Sequence, residues 1–213
     1  MTVLSRRAFG TGATAAAASL LVGCSSGGEG VRVTGTASPG GTAPRSTSGD
    51  QTSANSARAV GRSAPVRLRI PVIGVDTPVM RLGLEPDRTL QVPPITDHDQ
   101  AGWYEQSPTP GQTGPSVILG HVSVGAFGDG VFHELPRLRR GEKILARLEN
   151  GTETEFAVTS VRTVAKAEFP ADDVYGNVSR PELRLITCGG PKDASGYLDN
   201  VIVFAALTSS TSP

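Results

Sequence analysis

The chain has 213 residues, of which 38% are hydrophobic and 5% aromatic, and its 20 basic side chains are balanced by 20 acidic ones. Because the formal net charge is zero, the composition does not favour a nucleic-acid-binding protein, which would carry a basic surface. Only two cysteines are present, so the fate of one decides whether the other is a free thiol.

The first 23 residues are typical of an export signal. Arg6 and Arg7 supply the positive charge, and Ala13–Val22 is an apolar stretch too short to span a bilayer comfortably as a helix. The arginine pair resembles a twin-arginine signal, which exports folded proteins. The letters LVGC resemble a bacterial lipobox, in which cleavage leaves Cys24 as a lipidated first residue; an uncleaved anchor and a plain secretory peptide are the alternatives. We expect residues 1–23 to be removed and Cys24 to carry two or three acyl chains, enough for stable membrane anchoring.

A tether and one folded domain are predicted after the signal. Residues 24–65 are rich in Ser, Gly, Thr, Ala and Pro, and this composition cannot bury enough apolar surface to offset the entropy lost on ordering. Residues 66–208 have the length of a normal single domain. The predicted arrangement is therefore a domain held by a flexible tether at the extracytoplasmic face of a bacterial membrane.

The domain alternates short β-branched runs with Gly and Pro, a pattern that indicates strands and turns. Strands are predicted within residues 66–84 (interrupted by Pro71 and Pro78), 89–93, 115–122, 182–188 and 198–207. Residues 142–165 predict a hairpin around Asn150-Gly151, a strong turn signal. One helical turn capped by Asp97 is expected in residues 95–106, a short helix in 131–138, and a turn or short helix in 171–180. Six to eight short strands with few helices predict a mostly-β fold that closes, or nearly closes, into a barrel.

Cys188 and His121 are the candidate catalytic residues. Each lies at or near the end of a predicted strand beside glycine, which allows close approach of a peptide backbone. If Cys24 carries lipid, Cys188 has no partner for an intramolecular disulfide. A thiol beside an imidazole can perform acyl transfer, with the thiolate attacking a carbonyl and the histidine protonating the leaving amine. The alternative is a buried, inert cysteine and a hydrogen-bonded core histidine.

The domain resembles the sortase family, and most closely its actinobacterial class F. The resemblance is carried, in family order, by IPVIGVDTPV, LQVPP, GWYEQSPTPG, GPSVILGHV, VFHELPRLRRGEKI, FPADDVYG, RPELRLITCGGPKDASG and LDNVIVFA. It implies an eight-stranded sortase-type β-barrel with a few short helices. Some sortases bind calcium, but Asp172 and Asp173 are adjacent acids in a predicted turn and are expected to be solvated, so we expect no metal and no cofactor. The resemblance also implies a cysteine transpeptidase that cleaves an LPxTG-like sorting signal of exported proteins. The acyl group then passes through a thioester to an amine, such as a peptidoglycan precursor. The implied nucleophile is Cys188, preceded by Thr187, and the implied general acid/base is His121.

One position departs from the family pattern. Sortases normally carry an arginine on the last strand, but Leu198 stands at that place in YLDN. Losing one oxyanion donor typically lowers turnover by ~10²–10³. Arg184 and Asn200 are candidates for oxyanion or substrate support, with Lys192 and backbone N–H groups as further options. The departure also leaves open a degenerate sortase-fold protein that binds peptides without efficient turnover. A wall-remodelling L,D-transpeptidase is disfavoured because LITCGG lacks the SHGC-like motif of that class.

Overall fold

The computed structural model describes residues 60–194 and 196–213. The predicted signal, Cys24 and most of the predicted tether lie outside the described residues. The strands and the one α-helix of the described part are β1 Pro65–Ile70, β2 Val75–Leu82, β3 Ala101–Tyr104, β4 Gly114–Leu119, β5 Lys143–Leu148, β6 Glu153–Ala165, α1 Ala171–Tyr175, β7 Pro181–Asp193 and β8 Gly196–Thr211. Short 3-10 turns lie at Pro71–Ile73, Ile95–Asp97, Gly125–Phe127, Leu135–Arg137 and Lys166–Glu168. No helix in these described ranges is long and apolar enough to cross a membrane.

The eight strands form a closed barrel in the order β1-β2-β3-β4-β7-β8-β6-β5. The pairs β2–β3 and β4–β7 are parallel, and the other neighbours are antiparallel. Closure leaves no open sheet edge. The prediction of a mostly-β, eight-stranded barrel with few helices is confirmed.

The barrel buries apolar side chains on both faces of β7. Leu183 and Leu185 point into the interior, where they pack with large buried residues such as Trp103 and Phe156. The alternate residue Ile186 belongs to a second apolar cluster on the outer face, as the two-residue period of a strand requires. This outer cluster consists of Val117, Val174, Ile186, Ile202 and Phe204. Since Val174 lies in α1, the short helix covers this patch of the barrel's outer face.

Several predicted elements differ from the structure. Residues 89–93 form no strand; Leu90 makes one isolated bridge to Leu84, because Pro93 and Pro94 cannot donate ladder hydrogen bonds. The helical turn at Ile95–Asp97 is present, but Asp97 lies inside it, and Pro94 occupies the N-terminal cap position.

Two other elements differ from the prediction in length, and one is present as predicted. Residues 131–138 contain a 3-10 turn at Leu135–Arg137 instead of a longer helix, and its second residue is a proline that lacks the N–H a longer helix would use. The predicted hairpin around Asn150-Gly151 is present as β5 and β6. Strand β7 continues to Asp193, so Cys188 lies within the strand and not at its tip.

Candidate active site

Strand β7 carries Cys188 on the outer face of the barrel. The residue alternates with the interior-facing Leu185 and Thr187, and it lies opposite Asn200 of β8. Its thiol is free and partly exposed, whereas the neighbouring Thr187 is only 3% exposed. The thiol is therefore partly accessible and is not sealed inside the barrel, as a buried, inert cysteine would be.

The parallel pairing of β4 and β7 places His121 beside Cys188. The register aligns Leu119 with Ile186, and the Gly120 N–H donates to the Ile186 carbonyl at 3.1 Å. Continuing this register by two residues brings His121 level with Cys188. Residues at matching positions of neighbouring strands share a face, so the imidazole and the thiol come to the same side of the sheet.

A backbone carbonyl fixes the histidine ring. His121 Nε2 lies 2.7 Å from the carbonyl oxygen of Pro93. Because a carbonyl only accepts hydrogen bonds, Nε2 must carry the hydrogen, which leaves Nδ1 as the atom that exchanges protons. The same bond persists when the ring becomes an imidazolium. Pro93 thus orients His121 in both protonation states that acid–base catalysis requires.

The glycine before the histidine allows close packing. A Cβ atom at Gly120 would lie 2.6 Å from Val131 Cγ1 and 2.6 Å from Phe132 Cδ2. Residue 132 is held there by its own N–H, which donates to the His121 carbonyl at 2.9 Å. Any side chain at position 120 would therefore require the Val131 and Phe132 side chains, or the backbone that carries the imidazole, to move.

Comparison with known families agrees with this geometry. The sortase domain model matches residues 68–208, from within β1 to within β8. The chain belongs to the sortase family. Members of this family are cysteine transpeptidases, and their reaction requires a thiol and an imidazole of the kind that β4 and β7 bring together here. A search of curated proteins found no significant match.

Solved sortases share the fold at low sequence identity. SrtA sortase from Actinomyces oris is 22% identical with a TM-score of 0.51, over 72% of this chain and 84% of that one. A Clostridium perfringens sortase D5 transpeptidase is 20% identical with a TM-score of 0.52, over 69% and 79% of the two chains. Listeria monocytogenes sortase A is 17% identical with a TM-score of 0.51, over 71% and 90%.

In this sortase Arg184, a predicted candidate for oxyanion or substrate support, bonds residues away from Cys188. Arg184 is 3% exposed, and its guanidinium bonds the Glu182 carboxylate at 2.6 Å and the Asp173 carbonyl at 3.3 Å. Glu182 lies on the side away from Cys188, and four residues of strand separate Arg184 from Cys188 by roughly 13 Å. The structure therefore does not bring Arg184 to the thiol, because its charge is needed to neutralise a nearly buried carboxylate and to hold α1.

The two candidate positions on β8 are placed differently. Asn200 lies directly opposite Cys188 in the ladder and is half-buried, so it remains a candidate for substrate support. Leu198 precedes it by two residues and is 42% exposed. At this position leucine presents only apolar surface.

A groove opens on the outer face towards the beginning of β4 and β7. Its cavity has a volume of about 520 Å³. Tyr104 and Val117 form its floor beside the outer apolar cluster, and Tyr175 of α1 forms part of its wall. The cavity has the size of a site for a short peptide segment or a small molecule. It is also lined by Leu84, Arg88, Leu90, Gln106, Ser107, Pro108, Pro115 and Asn177.

A polar network at the far end of β7 was not predicted. Ser123, Lys192 and Tyr197 bond one another across the ends of β4, β7 and β8. Lys192 was a candidate only because it follows Cys188 in sequence, and nothing in the sequence signals that Ser123 and Tyr197 meet. Among the described residues, no cluster of His, Cys, Asp or Glu is arranged to hold a metal ion.

Proposed function

We propose that this sortase is a transpeptidase that cleaves an LPxTG-like sorting signal through a Cys188 thioester and passes the acyl group to an amine. The single observation that supports the proposal is the β4–β7 register, because its continuation by two residues beyond Leu119 and Ile186 would set His121 level with the partly exposed Cys188. We also assign the chain to class F, on the sequence pieces that resemble that class.

Acylation begins when the Cys188 thiol gives its proton to His121 Nδ1 and the sulfur attacks the carbonyl carbon of the scissile peptide bond. The C–S bond forms, and the carbonyl electron pair moves to oxygen. When the tetrahedral intermediate collapses, the C–N bond breaks and His121 Nδ1 gives its proton to the leaving amine. The Nε2–H bond to Pro93 keeps the ring in place during this transfer.

Transfer reverses these steps with a new amine. The incoming amine attacks the thioester carbonyl while His121 takes its proton, the new C–N bond forms and the Cys188 thiolate leaves. An amine on a peptidoglycan precursor or on a protein is the acceptor, and water in its place gives hydrolysis. No cofactor enters this scheme.

The groove beside the outer apolar cluster is the proposed site for the sorting signal. Pro115 and Val117 of β4 line it, and these residues pair with the segment of β7 that precedes Cys188; we place the carbonyl end of an extended peptide towards the thiol. The apolar floor at Val117 suits a leucine–proline segment.

The proposed location is the extracytoplasmic face of the bacterial cell membrane, with anchoring through lipid on Cys24. Exported proteins with a C-terminal sorting signal and wall precursors pass this surface. Metabolic labelling with an alkynyl fatty acid tests the anchor. We expect label on the parent and none on Cys24→Ser, and label that persists in the variant would contradict lipidation at this residue.

The activity test uses the full chain with a panel of LPxTG-type peptides and an amine such as triglycine. We expect a thioester adduct on Cys188 by intact mass spectrometry and an amide product in the parent. Cys188→Ala removes the nucleophile and should abolish both, and His121→Gln should leave alkylation of the thiol while slowing acylation. A folded parent that forms neither adduct nor product across the panel would refute the proposal.

The alternative function is a degenerate sortase that binds exported peptides without turnover, and the presence of leucine at position 198 favours it. Peptide binding that survives Cys188→Ala, with no thioester in the parent, is its signature. Titration of a fluorescent peptide against both proteins distinguishes the two functions.

A further inference from the structure

The groove on the outer face of the barrel carries a single charged side chain. Of all the residues that line it, only Arg88 is an acid or a base that is charged at neutral pH. Arg88 is exposed, and within the described ranges its guanidinium makes no hydrogen bond or ion pair. Burial raises the pKa of Tyr175, and Tyr104 raises it further, so the phenol of Tyr175 stays neutral. The groove therefore presents a positive group with no anion among its lining residues.

The backbone at Arg88 has an unusual conformation. Residues 86–88 form a three-residue hairpin loop, in which the Arg88 N–H donates to the Glu85 carbonyl and the Glu85 N–H donates to the Thr89 carbonyl, both at 2.8 Å. This pattern is a type I turn followed by a left-handed residue, a position that favours glycine. With a φ of 69°, Arg88 is the only non-glycine residue with positive φ in the described part of the chain.

The turn itself gains nothing from an arginine at this position. A Cβ atom is disfavoured in the left-handed region, which glycine adopts at no steric cost. The carboxylate of Asp87 accepts hydrogen bonds from the Thr89 N–H at 2.9 Å and from its hydroxyl at 2.6 Å, and neither Asp87 nor Glu85 forms an ion pair with Arg88. Residues in such sparsely populated conformations cluster at ligand-binding sites. The use of this arginine is therefore to be sought in the groove that it lines.

The distance from the groove to the thiol indicates which peptide residue would meet the arginine. Val117, on the floor of the groove, precedes His121 by four residues, which is roughly 13 Å along β4. An extended peptide covers this distance in about four residues as well. When the threonine of an LPxTG-like segment provides the carbonyl that Cys188 attacks, the residue about four positions before it immediately precedes the leucine.

We propose that Arg88 makes the groove select sorting signals with an acidic side chain, Asp or Glu, at the residue before the leucine. The inference rests on the proposed transpeptidase function and on the groove as the site of the signal. A guanidinium matches a carboxylate in shape and charge and bonds it through two parallel N–H donors. Arg88 is thus a specificity residue: it determines which peptides bind and takes no part in the steps at Cys188.

The test uses the full chain and LPxTG-type peptides that differ only in the residue before the leucine, which is Asp, Asn or Lys. For the parent we expect kcat/KM to be higher for the Asp than for the Asn peptide by roughly 3–10-fold, between the effect of an exposed ion pair and that of a charge-assisted hydrogen bond. The ratio should fall to about one in Arg88→Gln, and Arg88→Glu should favour the Lys peptide. An Asp/Asn pair at the x position, nearer the thiol, should show a smaller ratio.

Two further variants separate peptide selection from folding. Arg140→Gln removes another exposed arginine without an ion pair, outside the groove, and should keep the parent's ratio. Arg88→Gly removes the charge and suits the positive φ, so it should lose the ratio while its Tm stays at or above that of the parent.

The contrary outcomes distinguish this inference from the proposed function. Turnover of the Asp and Asn peptides at equal kcat/KM by the parent overturns the role of Arg88, and so does a ratio that survives Arg88→Gln; both results leave the transpeptidase standing. A parent that forms no thioester with any peptide overturns the transpeptidase function instead. The same ratio is then measured as Kd values of fluorescent peptides on Cys188→Ala, where equal Kd values for the Asp and Asn peptides overturn the inference as well.

Discussion

Replacing Gly120 with alanine tests how the site is built, because it adds one methyl group directly before the histidine. The new Cβ would lie 2.6 Å from both Val131 Cγ1 and Phe132 Cδ2, whereas ordinary contact begins at 3.4 Å. The backbone or its neighbours must therefore move by about 1 Å. Overpacking of this kind costs about 1–3 kcal/mol, which lowers the Tm of a domain of this size by about 2–12 °C.

The same shift should reduce catalysis, because a misplacement of about 1 Å at a catalytic group costs on the order of 10²-fold in rate. We would measure acylation by rapid-quench mass spectrometry and Tm by calorimetry. Gly61→Ala is the matched control, since a Cβ there meets nothing within 4 Å. Parent-like acylation and Tm in folded Gly120→Ala would refute the view that close packing at this glycine positions the imidazole.

Three further variants probe stability, proton transfer and the missing donor. Glu182→Ala strands the buried Arg184 guanidinium, so we expect a loss of about 3 kcal/mol in urea unfolding, whereas Asp76→Asn in a solvent-exposed pair should leave the unfolding midpoint close to that of the parent. Burial acts to raise the pKa of Glu182, but hydrogen bonds and charge from Arg180 and Arg184 lower it below its ordinary value of 4.5. The ionised carboxylate therefore stabilises the fold fully above pH 4.5, and this stabilisation is lost as the pH falls through the folded-state pKa. Glu182→Ala should not show this loss of stability at acid pH. His121→Gln should lower acylation by about 10²–10⁴ in single-turnover assays. Leu198→Arg should raise turnover by up to ~10², since it adds a hydrogen-bond donor that leucine lacks, while Leu198→Met should not.

The barrel was predictable because its strands follow simple alternation. Leu183 and Leu185 are interior, and Ile186 and Cys188 lie on the other face, as a two-residue period requires. The hairpin at Asn150 follows from its turn residues. The prediction of a barrel with eight strands depended on the family resemblance, because local periodicity does not predict which strands pair over long sequence distances.

The site was predictable only in part. Alternation along β7 puts Arg184 and Cys188 on one face, but it gives no information on partners, and the guanidinium of Arg184 bonds the carboxylate of Glu182. The contact of Tyr197 with Ser123 depends on a register shift between Gly189 and Lys192. Irregularities of this kind re-aim side chains locally and leave no clear pattern in the sequence.

The position of the thiol is explained by where α1 stops covering the barrel. Asp173 of α1 bonds Arg162 through its carboxylate and Arg184 through its carbonyl, and both guanidinium groups lie 4.6 Å from the ring centroid of Phe204. These contacts hold the helix over the outer apolar cluster. Ile186 is 6% exposed, yet Cys188, the next residue on that face, is open to solvent. Arg162 and Arg184 hold α1 in place. They thereby determine which residues of β7 are covered by apolar side chains and leave the Cys188 thiol partly exposed. Loss of the helix anchor should therefore alter peptide affinity in the groove before it alters the reactivity of the thiol.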